Sequence, residues 1–155
     1  MTTFGIRRAR PEDLDAAVGV WERARWDTQQ PRLQERMQYS HEDNLGHFRD
    51  VVMRQNEVWL AIEGDEIVGL LAVGEHKVDQ LHVDPRCQGR GVGTALLDRA
   101  KALAPEGLTL FTHQGNARAR AFYERRGFRA VRFGVSPPPE SEPDVKYAWR
   151  PTEDD

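Results

Sequence analysis

Gly89, Gly91 and Gly93 stand at two-residue intervals in VDQLHVDPRCQGRGVGTALL, between a run that reads as a strand and one that reads as a helix. Glycine lets the backbone take positive φ and approach a ligand closely. Amides at the positive end of a helix then form a cradle for an anion. A nucleoside-triphosphate loop would end in Gly-Lys-Ser/Thr, whereas Thr94 follows Gly93 with no lysine. A dinucleotide fingerprint needs a third glycine where this chain has Thr94, counting from Gly89, or Leu96, counting from Gly91. A tight turn that binds nothing and an anion-binding loop both stay open on this segment alone.

Downstream, Asn116, Arg120 and Tyr123 fall at i, i+4 and i+7, so an amide, a cation and a phenol share one face of a short helix. Ala117, Ala121 and Phe122 lie off that stripe and read as core contacts. A phenol keeps its proton at neutral pH and can donate it to a leaving group. Asn116 also suits the N-cap of this helix. For accepting a proton, Asp79 ranks first, because it alternates with Leu81 and Val83 along a strand; Glu75 and His82 follow. The five histidines are scattered without metal-like spacing, so no metal is expected, and Cys87 reads as a bystander beside the glycine loop.

These groups need a scaffold, and the chain reads as alternating extended and helical pieces. Ile6 to Arg10 is a first strand, and Pro11 opens a helix with Glu12, Asp13 and Asp15 in its first turn, where they complement the dipole. A connector, part of it helical, is expected from Trp26 to Tyr39, then a second helix from Ser40 with Asp43 three residues on. Two apolar runs around Gly64-Asp65 predict a hairpin. Val78 to Val83 follows as a strand ended by Pro85. Beyond the glycines come a helix with Leu96, Leu97, Ala100 and Leu103 inward, a strand from Leu108 to Thr112, and the Asn116 helix stopped by Gly127. Phe128 to Phe133 and Val145 to Arg150 close the chain as strands, with a proline-rich loop between them and a frayed acidic tail over 151–155.

With 155 residues, 39% hydrophobic and 30% charged, the chain suits one soluble globular domain over 1–155. The N-terminus has no apolar leader, and the longest apolar stretch is far short of the roughly 20 residues a membrane span needs. One cysteine excludes an intramolecular disulfide, so a cytoplasmic location is expected, with no membrane partner. A net charge of -3 argues against nucleic acid as a partner. Residues 86–155 nevertheless hold twelve Lys/Arg against nine Asp/Glu, which fits an anionic small ligand in that half.

Gln88-x-x-Gly91-x-Gly93, followed by Asn116-x-x-Ala119-x-x-Phe122-Tyr123-Glu124 and then Gly127-Phe128, resembles the GNAT superfamily of acetyl-CoA-dependent N-acetyltransferases. The element order matches that family over nearly the whole chain, least well over residues 21–56. The resemblance implies an α/β fold, a central mixed and mostly antiparallel sheet of about seven strands that splays at its centre, flanked by about four helices. It implies acetyl-CoA as cosubstrate, its diphosphate end on the amides of Gln88, Gly89, Arg90, Gly91, Val92, Gly93 and Thr94. The pantetheine arm would lie along backbone groups of Leu81, His82 and Val83 and reach Asn116. Tyr123, with a phenol near pKa 10 and so within roughly two units of a thiol, would protonate the departing thiolate. Asp79 would deprotonate the attacking amine of a small molecule or peptide, and Trp26 would wall the acceptor pocket. Some members that acetylate peptide N-termini carry a glutamate five residues before the asparagine, where this chain has Phe111. A non-catalytic acyl-CoA-binding or sensor module is the rival reading, and exposed C-terminal strand edges suit a homodimer.

Overall fold

The two apolar runs around Gly64-Asp65 pair as expected, β2 (Glu57–Glu63) against β3 (Glu66–Gly74), in a computed structural model that describes residues 4–28 and 39–151 and the side chains of all of these except 26–28. β1 (Gly5–Arg8) adds to β2, and β4 (Lys77–Val83) adds to β3. β5 (Leu108–His113), β6 (Arg129–Val135) and β7 (Pro143–Trp149) complete a seven-stranded sheet of order β1-β2-β3-β4-β5-β7-β6. Every neighbour is antiparallel except β4 and β5, so the expected mixed, mostly antiparallel sheet is what the chain forms.

The helices differ from expectation in one boundary. A 3-10 turn at Pro11–Asp13 leads into α1 (Leu14–Thr28), which runs through Trp26 because no glycine or proline after Gly19 interrupts it before Pro31. The remaining connector, 29–38, and the tail, 152–155, lie outside the described residues. Ser40 and Asp43 form the predicted capping box, the Ser40 hydroxyl accepting from Asp43 N at 3.0 Å. The helix it starts, α2, runs from His41–His47 through a π turn at Phe48–Val52 to Met53–Gln55. α3 (Val92–Leu103) and α4 (Ala117–Arg125) complete four helices among the described residues, none long and apolar enough to cross a membrane.

The two faces of the sheet bury separate cores. α1 and α2 cover one with Val18, Trp21, Phe48, Leu60 and Leu70. α3 and α4 cover the other with Leu71, Val78, Leu96, Leu97, Leu110, Tyr123 and Tyr147. A fully buried leucine such as Leu96 contributes about 2–3 kcal/mol. β6 is an edge strand with Val131, Phe133 and Val135 exposed.

Between β4 and β5 the sheet opens. Only Lys77 stays paired, opposite Thr109, whose amide donates to His76 O at 2.8 Å. The register between β3 and β4 jumps from Ala72/Gln80 to Val73/Val78, so Asp79 is the extra residue of a β-bulge. A bulge bends its strand, and the two parallel strands diverge toward their C-terminal ends. The mouth of this gap adjoins the glycine loop.

Candidate active site

The glycine loop has the local geometry of an anion cradle. Gly89 and Gly91 take φ of +81° and +86°, the left-handed region where other residues are strained. Among the described residues, no backbone amide from Gln88 to Thr94 donates to another protein group; the first helical bond of α3 is Ala95 N to Gly91 O at 3.0 Å. A Cβ at Gly89 or Gly91 would meet nothing within 4 Å, so both α-carbons border open space. Gly93 has a different reason to lack a side chain: a Cβ there would lie 3.3 Å from the Phe122 ring, so it lets α3 press against α4. Arg90, within the loop, reaches Glu63 at 3.3 Å.

The strand edge facing the gap corrects one expectation. Asp84 N donates to Val68 O at 2.8 Å. In an antiparallel ladder both groups of alternate residues point the same way, so His82 and Gln80 bond toward β3. Leu81 and Val83 therefore present their N–H and C=O groups to the gap, and His82 does not. Side chains alternate as well: Leu81 and Val83 pack with the α3/α4 core, while His82 faces α1.

On α4 the inward face is the one carrying Asn116, Ala119 and Tyr123; Ala117, expected in the core, is exposed. Asn116 does cap the helix, its Oδ1 accepting from Ala119 N at 3.1 Å. That leaves its amide N–H groups free of protein partners among the described residues. Tyr123 is only 8% exposed and packs edge-on against Phe122 and Phe128. Among the described residues its hydroxyl has no hydrogen-bond partner. Burial pushes this phenol well above 10, so the hydroxyl keeps its proton at neutral pH.

The expected proton acceptors are not brought together. The bulge breaks the alternation that grouped Asp79 with Leu81 and Val83, because Val78 takes the core face instead. Asp79 is exposed, and its carboxylate accepts from Asn56 Nδ2 at 3.2 Å, near the closed end of the gap. Glu75 sits in the β3–β4 turn, beyond that closed end. His82 is partly exposed beside the open part; desolvation of its ring first, then the field of Arg25, lowers its imidazole to about 4. Phe111, with Lys77 5.7 Å from its ring centroid, carries no titratable group. Trp26 lies on α1, but its side chain is outside the described residues.

Two contributors escaped the sequence reading. Asp84 is fully buried and accepts from Arg86 N at 3.0 Å, from the Arg86 guanidinium at 3.0 and 3.1 Å, and from Arg23 at 2.8 Å. Burial alone would push its carboxyl up, but the bonds from Arg86 and Arg23 outweigh this and hold it at about 2. It thereby anchors the turn that leads into the glycine loop. Its position before Pro85 was the available signal, since aspartate caps such turns. The second is Arg126. Its guanidinium donates to Thr94 Oγ1 at 2.7 and 3.0 Å and lies 3.9 Å from the Phe122 ring centroid, beside the start of α3. A cation at that end of a helix is repelled by the dipole, and an anion on the loop amides would relieve the repulsion.

Comparison with known proteins adds four findings. The acetyltransferase (GNAT) family profile matches residues 18–128. The peptidyl-lysine N-acetyltransferase YjaB of Salmonella typhimurium is 33% identical over 130 residues, covering 83% of this chain and 85% of that protein. Among solved structures, apo YjaB from Escherichia coli superposes with a TM-score of 0.74 at 26% identity, over 95% of this chain and 97% of its own. The PaiA N-acetyltransferase of Thermoplasma acidophilum, solved in complex with coenzyme A, shares the fold at a TM-score of 0.67 and 19% identity, over 96% and 99% of the two chains.

Proposed function

The chain belongs to the acetyltransferase (GNAT) family, and on that premise we propose that it transfers an acetyl group from acetyl-CoA to a primary amine by direct attack within a ternary complex. The observation that carries this reading is the open gap between β4 and β5, ending at a loop of unpartnered amides. When bound, acetyl-CoA supplies a thioester carbonyl activated for attack by an amine. The amides of Gln88 to Thr94, with Arg126 beside them, hold the diphosphate end. Backbone groups of Leu81 and Val83 hold the pantetheine arm and polarise the acyl carbonyl. Asn116 has N–H groups to offer the arm, and Tyr123 hydrogen-bonds the sulfur as it takes on charge. The acceptor to try first is a peptide lysine, because YjaB of Salmonella typhimurium, which aligns with 83% of the chain, is named a peptidyl-lysine N-acetyltransferase. Pairing of two copies along the β6 edge belongs to the same proposal, and light scattering reads it.

Calorimetric titration with acetyl-CoA tests the cosubstrate. Saturable binding by the wild type is expected. Changing Gly91 and Gly93 together to alanine should weaken it more than tenfold, since the first change forces a side chain into left-handed backbone at about 1–2 kcal/mol and the second wedges α3 from α4. A double variant that keeps its circular dichroism and binds as the wild type does would sink the loop assignment. Arg126→Ala should weaken binding about tenfold, the loss of one charged hydrogen bond, and make it less sensitive to salt. Unchanged affinity and salt slope would remove Arg126 from the site.

A further inference from the structure

We propose that His82 Nδ1 is the proton acceptor for the attacking amine, reached from the α1 face of the gap, and that Gln80 is the positioning residue that fixes its tautomer. This rests on the acetyl-transfer reading above. α3, which begins at the cradle, and Tyr123 both lie on one face of the sheet, whereas the His82 side chain projects from the other. An amine entering from the α1 face would therefore meet the imidazole on its own side, with the sulfur departing toward Tyr123 on the opposite side.

The hydrogen bonding decides which ring nitrogen is available. His82 Nε2 lies 2.8 Å from Gln80 Oε1. An amide oxygen only accepts, so Nε2 carries the hydrogen and Nδ1 keeps its lone pair. Among the described residues nothing hydrogen-bonds Nδ1, and the His82 side chain is only partly buried. Arg25 of α1 is the charged group whose field reaches the ring. Together with burial it keeps the imidazole neutral at physiological pH, with Nδ1 ready to accept. Weak basicity suffices, because an amine nitrogen becomes strongly acidic as its lone pair enters a new bond. The amine reacts as its neutral free base, the ammonium having lost its extra proton to water; its lone pair forms the C–N bond to the acyl carbon and the C–S bond breaks with its electron pair on sulfur. The proton shed by nitrogen passes to Nδ1 and from there to water. The neighbouring alternatives are poorly placed: Asp79 is bonded to Asn56 at the bulge, and His113 lies 3.8 Å from Glu140.

The test begins without substrate. Long-range nitrogen–proton spectra of protein labelled with ¹⁵N-histidine should show His82 as the Nε2–H tautomer, neutral from pH 8 to pH 5, and Gln80→Leu should mix the tautomers. An Nδ1–H tautomer, or titration near the ordinary histidine value of about 6.5, would overturn the assignment. With acetyl-CoA and a lysine-containing peptide, His82→Ala should lower kcat about 100-fold. Its acetyl-CoA affinity should stay within about threefold of the wild type, and added imidazole should restore part of the rate. A wild type that transfers while His82→Ala transfers as fast overturns this assignment alone. A wild type that binds acetyl-CoA and acetylates neither the peptide nor spermidine overturns the underlying reading, and this one with it.

Discussion

Asp84→Asn is expected to destabilise the protein by about 2–3 kcal/mol at pH 7, because the buried carboxylate it removes is the shared acceptor for Arg23, Arg86 and the Arg86 amide. The isosteric amide retains volume but loses charge, so the loss reports the ion pairs and not a cavity. For a chain of this length that corresponds to a melting temperature lower by about 4–12 °C. The sign of the pH dependence follows from the direction of the shift. The carboxyl is held at about 2 in the folded protein against 3.8 when free, so its contribution is fully present above about 3.8 and fades as pH falls toward 2. The difference between variant and wild type should therefore be largest near neutrality and close to zero near pH 2. Thermal or urea melts of both proteins across pH 2 to 7 measure this. A variant that melts with the wild type at pH 7 would show that Arg23 and Arg86 find equal partners in water. Because Asp84 anchors the turn before the glycine loop, acetyl-CoA affinity should fall in parallel.

Tyr123→Phe should lower kcat by about 100- to 1,000-fold while leaving acetyl-CoA affinity within about twofold. The ring carries the packing against Phe122, Phe128 and Tyr147, and phenylalanine preserves it. Among the described residues the hydroxyl makes no bond, so its removal costs the fold little and isolates its proposed contact with the leaving sulfur. Since burial holds the phenol protonated, no alkaline loss of rate should trace to it up to about pH 10. Thiol release gives kcat, and calorimetry gives affinity. A variant within threefold of wild-type kcat would reduce Tyr123 to a core residue. The same change separates an enzyme from a pure acyl-CoA binder, which has no rate to lose.

Much of the scaffold was legible because its signals are local. Gly64-Asp65 between apolar runs can only turn back on itself, Ser40 and Asp43 satisfy each other's backbone within one turn, and Asn116 caps α4 through a bond three residues long. The glycine loop is local as well: left-handed φ at Gly89 and Gly91 follows from residue type. The end of α1 is harder to place from sequence, because four glutamines and Pro31 blur the period after Trp26, while helix propagation needs only the absence of a breaker.

By itself the sequence determined the order of strands and helices, the cradle of amides and the phenol on α4, since each depends on residues a few positions apart. Tertiary structure alone decided which of these groups face one another. A single extra residue at Asp79 broke the alternation along β4, which parted that carboxylate from Leu81 and Val83. Pairing of residues as distant as Arg126 with Thr94, and Arg23 with Asp84, likewise depends on how α3 and α4, or α1 and β4, are stacked. The physical reason is that side-chain direction along a strand has a period of two, so one bulge, invisible in composition or spacing, exchanges the faces of the residues on one side of it.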